Sequence, residues 1–122
     1  RLRTPQAAAL GVPVYVAGQL AGTEGYCEAI RSGLHVAVAV TADLQGVELP
    51  ALPPETVYGA LMAYATDEAT TDYQPMHVNF GIMRPLDPPV RNKRERYGAY
   101  AARANAALED YRLALADAGL MA

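Results

Sequence analysis

Val12-Pro13-Val14-Tyr15-Val16-Ala17-Gly18-Gln19-Leu20-Ala21-Gly22-Thr23-Glu24-Gly25-Tyr26 is the stretch on which the reading of the fold turns. Its first half, Val12 to Ala17, is a β-branched and aromatic run suited to a buried strand. Pro13 falls at its start, where a missing amide donor is tolerated. Gly18, Gly22 and Gly25 then make a turn, and an apolar segment continues from Tyr26 to about Ala42. That segment has two periodicities. Leu34, Val36, Val38 and Val40 alternate as in a strand, whereas Tyr26, Ile30, Gly33, Leu34 and Ala37 recur at helical spacing. Its length favours a helix, since strands rarely exceed about 10 residues. Apolar residues fall all round it, so the helix is expected to be buried on both sides.

A helix that follows a strand and a glycine turn points unpaired amides above the strand's end, a setting that attracts anions. The glycines therefore serve either the close approach of a cofactor or the tight packing of the helix itself. Gly18-Gln19-Leu20-Ala21-Gly22 is not the dinucleotide fingerprint G-x-G-x-x-G, and no βαβ unit follows it. A lone strand cannot satisfy its own backbone. Its neighbours are expected from another chain or from a segment outside this sequence.

The rest of the chain sets bounds on this picture. A length of 122 residues allows one domain, and 52% hydrophobic with 19% charged residues excludes a disordered tail or a coiled coil. Polar residues, Pro or Gly interrupt every apolar run before the roughly 20 residues of a membrane span. Arg1-Leu2-Arg3-Thr4-Pro5 has neither the apolar core of a secretion signal nor an initiating Met, and is expected to be a cut inside a longer protein. The single Cys27 excludes an internal disulfide and a cysteine-built zinc site, and fits a reducing, cytoplasmic setting.

Beyond Gly46, Pro50, Pro53 and Pro54, a second helix is expected from Glu55 to Thr66, with its prolines at the start. Residues 67–90, broken by Pro75, Pro85, Pro88 and Pro89, should be irregular. They nevertheless hold Tyr73, Met76, Val78, Phe80, Ile82 and Met83, so the loop must pack on something. A final helix is expected from about Arg91 to Ala118, with a stripe of Tyr97, Tyr100, Ala104, Leu108, Tyr111 and Leu115 and a stop at Gly119. The fold class is thus α/β but mostly helical.

Charge divides the chain. Up to Met83, Arg1, Arg3 and Arg31 face a clear excess of acids, whereas Arg84, Arg91, Lys93, Arg94, Arg96 and Arg103 face only Asp87 and Glu95. Arg91-Asn92-Lys93-Arg94-Glu95-Arg96 puts cations on the first turns of a helix, where the dipole disfavours them. Either phosphates compensate this, or the side chains snorkel on a solvated face.

Other candidate residues read more simply. Glu24 and Glu28, four apart, suit the dipole of a helix start better than a general acid/base pair. Cys27 has no adjacent His or Lys to activate it and is expected in the core, as is a hydrogen-bonded His35. His35 and His77 have no metal-compatible spacing, and no metal site is expected.

Val16 to Ala29 resembles the last flavin-contacting segment of the folate- and FAD-dependent tRNA (uracil-5-)-methyltransferases, TrmFO or Gid, a segment shared with the related GidA/MnmG flavoproteins. Tyr73-Gln74-Pro75-Met76-His77-Val78-Asn79-Phe80-Gly81 is similar to that family's F-Q-P-M-N-V-N-F-G signature, with His77 in place of Asn. Lys93-Arg94-Glu95-Arg96-Tyr97 with Ala102-Arg103-Ala104 resembles its terminal basic helix. The resemblance implies that Gly18, Gln19, Gly22, Thr23, Glu24, Gly25, Tyr26, Asn79 and Gly81 line an FAD site. It also implies that Arg84, Arg91, Lys93, Arg94 and Arg96 meet tRNA, and that NADPH or NADH and methylenetetrahydrofolate are co-substrates.

On this reading residues 1–45 end a Rossmann-like FAD-binding domain as strand, turn and helix, and residues 46–122 are its helical carboxy-terminal segment. The family's pyrophosphate turn and catalytic cysteines lie upstream, so no catalytic residue is assigned here, Cys27 included. The isolated chain is expected to be inactive and to need the remainder of the FAD-binding domain. The alternatives are a non-catalytic helical module that binds tRNA or protein, and an inactive remnant of a split gene.

Overall fold

Capping chemistry sets where the helices begin and end. In the computed structural model, which describes residues 1, 2 and 4–121, Thr4 opens α1 (Pro5–Ala9) by accepting from the Ala7 amide at 3.1 Å, with Pro5 at the first helical position. Arg3, counted above among the bases, lies outside the described residues. The segment from Tyr26 resolves as helix α2 (Tyr26–Gln45), ended by Gly46 at φ +67°. There the Gly46 and Val47 amides return to Asp43 and Ala42 (3.3 and 3.0 Å), the closing pattern that glycine favours.

Thr56 opens α3 (Val57–Thr66): its hydroxyl accepts from the Gly59 amide and donates to the Pro53 carbonyl, both at 2.9 Å. Asn92 opens α4 (Lys93–Asp117) by accepting from the Arg94 and Glu95 amides at 3.0 and 3.2 Å. Single 3₁₀ turns form at Gly18–Ala21 and Phe80–Ile82. Among the described residues no helix is long and apolar enough to cross a membrane.

The core sits where α3, the Phe80–Ile82 turn and α4 meet. Ala60, Met83 and Tyr100 are buried together, with Val57, Ile82 and Leu86 against them, and Leu61 is 0% exposed. Phe80 stacks on Tyr97 at 4.5 Å between ring centres and 10° between planes. Arg103 clamps the irregular segment to α4. Its guanidinium donates to the Arg84 and Pro85 carbonyls (2.8 and 3.1 Å) and lies 5.1 Å from the centre of the Tyr100 ring. The residues from 67 to 90 thus pack as expected.

Several expectations need correction. Val12 to Ala17 forms no strand: among the described residues the one β pairing is an isolated parallel bridge between Thr23 and Met76. A strand exists through its ladder, and among the described residues the run receives one backbone bond near its middle, from the Leu2 amide to the Val14 carbonyl at 2.8 Å. The Tyr15 hydroxyl also donates to Asp43, which fastens the run to the far end of α2.

Nor is α2 buried on both sides. Tyr26, Ile30 and Leu34, at helical spacing, are 92%, 74% and 57% exposed, because no described element covers that face. On α4, Tyr100, Tyr111 and Leu115 are buried, but Tyr97 and Leu108 of the same stripe are exposed. The helix expected from Glu55 starts at Val57, since Thr56 is the residue that caps it.

Candidate cofactor site at the glycine turn

The turn between Gly18 and Gly25 folds largely on its own hydrogen bonds. Gly18 (φ +68°) donates its amide to the Ser32 hydroxyl of α2 at 2.9 Å, and its carbonyl accepts from the Thr23 hydroxyl at 2.8 Å. The Gly22 amide closes on the Gln19 carbonyl at 2.9 Å. Thr23 is fully buried. Gln19 is exposed and its amide group reaches the Glu24 carboxylate at 3.4 Å.

The loop from Tyr73 closes on this turn. The Tyr73 hydroxyl donates to the Gly22 carbonyl at 2.7 Å, the Met76 amide donates to the same carbonyl at 3.3 Å, and the Glu24 amide donates to the Met76 carbonyl at 3.1 Å. One turn further on, the Val78 amide donates to the buried Glu28 carboxylate at 3.1 Å. Two sequence blocks some fifty residues apart therefore form one surface.

This contact settles what the glycines do. A side chain at Gly22 (φ +79°) would strike the Tyr73 ring, and one at Gly25 (φ +96°) would strike Glu28 and His77. Both glycines make room for the chain's own residues on that side, in addition to adopting a backbone that other residues avoid. The start of α2 differs. Gly25 occupies the cap position without a side chain to offer, and no side chain caps the helix there. The first amides of a helix have no partner within it. Tyr26 and Cys27 are exposed, whereas Glu28 is buried against the Val78 amide. Donors of this kind fit the electron-rich carbonyl edge of a flavin.

Asn79 and Gly81 lie beyond the same loop. The Asn79 side chain accepts from the Gly81 amide at 2.9 Å and donates to the His77 carbonyl at 3.2 Å, so its polar atoms shape the Phe80–Ile82 turn. Cys27 is exposed rather than in the core, because α2 turns that position outward. His35 is half-buried against Tyr58, and its Nδ1 is buried without a hydrogen bond among the described residues, contrary to the expectation of a satisfied core histidine. Burial, with Arg31 nearby, lowers the His35 pKa below its usual value. Burial raises the Tyr58 and Tyr73 hydroxyls. Val16, Gln19, Gly22, His35, Tyr58 and Tyr73 share the wall of an open cleft of about 720 Å³.

At the basic end, Arg84, Arg91, Lys93 and Arg94 are exposed. Lys93 and Arg96 lie 5.7 and 5.8 Å from the centre of the Tyr97 ring, whose face partly offsets their unfavourable place at a helix start. Arg103 belongs instead to the fold, through its two carbonyl contacts.

Sequence reasoning passed over Tyr73, Ser32 and the buried role of Glu28. The loop's apolar content signalled that it packs, but only the folded chain shows that it packs on the glycine turn. Helix α1 was also missed, although Thr4-Pro5 followed by Gln6-Ala7-Ala8-Ala9 is a legible helix start.

No family profile matches the chain, and no solved structure matches it. Curated relatives do. The chain is 44% identical over 105 residues to the methylenetetrahydrofolate–tRNA-(uracil-5-)-methyltransferase TrmFO of Moorella thermoacetica, covering 85% of this chain and 24% of that protein. It is 43% identical over 98 residues to the TrmFO of Thermotoga neapolitana (80% and 22%), and 41% over 91 residues to that of Bacillus pumilus (75% and 21%). The chain thus spans under a quarter of the length of these relatives. Over 75–85% of its length the chain is similar to one part of each of these TrmFO proteins.

Proposed function

We propose that this chain completes a flavoenzyme that methylates C5 of the T-loop uridine of tRNA, using methylenetetrahydrofolate and FAD reduced by NADPH or NADH. The observation that carries the reading is the meeting of the two signature blocks, Gly18 to Ala29 and Tyr73 to Gly81, through Gly22, Met76, Glu28 and Val78. That contact sets the block from Gly18 to Ala29 against the loop that leads into Asn79 and Gly81.

The amides at Tyr26, Cys27 and Glu28 would hold the flavin's carbonyl edge, with Gln19 and Asn79 at the rim. Gly18, Gly22, Thr23, Glu24, Gly25 and Gly81 act through the backbone shape that presents those amides. The bound cofactor would supply the electrons that turn the folate's methylene carbon into a methyl group. The positive end of α2 would stabilise negative charge on that edge, worth roughly 0.3–1 kcal/mol at an exposed site and more when enclosed.

Residues 1–45 would close a Rossmann-like FAD-binding domain, with Val12 to Ala17 taking its place in a sheet beside upstream strands. The open face of Tyr26, Ile30 and Leu34 supports this, because more than three quarters of each relative lies outside the match. Residues 46–122 would be the helical end of the same domain, in a cytoplasmic enzyme. Arg84, Arg91, Lys93, Arg94 and Arg96 would contact the tRNA backbone, a contact that strengthens steeply as salt is lowered.

The test exchanges the matching stretch of the Moorella thermoacetica relative for this chain. The expected chimera is yellow and methylates tRNA. A folded but colourless chimera overturns the reading. The 122-residue chain alone, given every cofactor, should show no turnover, and turnover above background would place the reacting groups here rather than upstream.

A further inference from the structure

Glu28 is a carboxylate buried in the first turn of α2, and its polar neighbours come from the loop opposite. Its Oε1 accepts from the Val78 amide at 3.1 Å and lies 3.9 Å from His77 Nδ1. Its Oε2 lies against Gly25, where a β-carbon would strike both Glu28 and the His77 ring. The helix dipole favours a carboxylate at this position, more so when it is enclosed. Burial adds a desolvation cost that a specific partner must offset, and Val78 is that partner.

The loop has a second, independent anchor. Tyr73 and Met76 hold the Gly22–Glu24 end of the turn. Glu28 holds the other end, from which the chain runs directly into Asn79 and Gly81. Without Glu28 the short stretch between Met76 and Phe80, held at one end by Gly22 and Glu24 and at the other by the Phe80 stack on Tyr97, would lose its bond to α2.

We propose that Glu28 is a positioning residue, fixing the Val78–Gly81 segment beside the amides that open α2 so that both sides of the flavin site keep one geometry. This rests on the flavin reading above. Glu28→Met fills the same space and accepts no hydrogen bond, whereas Glu28→Gln keeps an oxygen that can accept from Val78.

Amide hydrogen exchange is followed on the 122-residue chain, and FAD affinity with its visible spectrum on the Moorella thermoacetica chimera carrying each variant. Glu28→Met should retain helical circular dichroism, exchange the Val78 amide about tenfold faster, and weaken FAD binding about tenfold with a displaced flavin band. Glu28→Gln should restore both to within about threefold of the parent. If Glu28→Met fails to fold, Glu28→Gln decides: parental Val78 protection and flavin spectrum support the role, and loss of either overturns it. A Glu28→Met chimera with parental affinity and spectrum sinks the positioning role alone. A colourless parent chimera sinks the flavin reading, and this inference with it.

Discussion

The two halves of the chain treat their loose ends differently. From Thr56 onward, helices α3 and α4 are capped by side chains, Leu61 and Met83 are enclosed, and even the irregular segment is fastened by Arg103. Between Val12 and Gln45 the extended run lacks a ladder, α2 starts without a side-chain cap, and the Tyr26–Ile30–Leu34 face is open. A chain closes what it can with its own groups. What it leaves open, in backbone donors and apolar surface together, marks where other matter belongs. Here the open part coincides with the segment that resembles a flavin contact.

The sharpest way to break that contrast is to truncate one apolar residue in each half. Leu61→Ala should destabilise the chain by about 2–5 kcal/mol, and Ile30→Ala by no more than about 0.5 kcal/mol, in denaturant titrations. Equal losses would show that α2 is covered after all. Gly22→Ala tests the seam between the halves. It forces a left-handed backbone and pushes on the Tyr73 ring, so a loss of about 1–3 kcal/mol is expected, whereas Tyr73→Phe, which removes only the bond to the Gly22 carbonyl, should cost about 1 kcal/mol. A neutral Gly22→Ala would mean that the loop does not close on the turn.

The smallest effect concerns pH. Because the folded His35 binds its proton less readily than the unfolded one, the unfolded state takes up more protons below the ordinary histidine pKa of about 6.5. Stability contributed by neutral His35 is therefore complete above that pH and falls as pH drops towards the lower folded value. Melting temperature should decline on acidification from pH 7 to 5, and His35→Phe should flatten that decline. An unchanged slope in the variant would assign the acid sensitivity to another group.

Much of the closed half was legible in order along the chain. The proline pair before α3, the stop at Gly119 and the apolar content of residues 67–90 each translate into local geometry with little help from elsewhere. The open half was legible as a pattern but not as a structure. Val12 to Ala17 has the residues of a strand, yet strand formation needs a neighbour that residue type cannot supply. The all-round apolar character of α2 suggested burial on both sides, but the described residues cover only part of it. Cys27 and His35 were misplaced for a related reason: a helix residue's burial depends on which face its neighbours cover.

The sequence by itself determined the helical segments, the glycine turn and the likeness to TrmFO proteins, because caps, spacing and motif residues act over a few positions. Only the tertiary structure decided that the two signature blocks touch, that Gly22 and Gly25 make room for Tyr73, Glu28 and His77, and that Arg103 serves the fold. Those outcomes depend on contacts across tens of residues, where distance in space is set by packing and not by position in the chain.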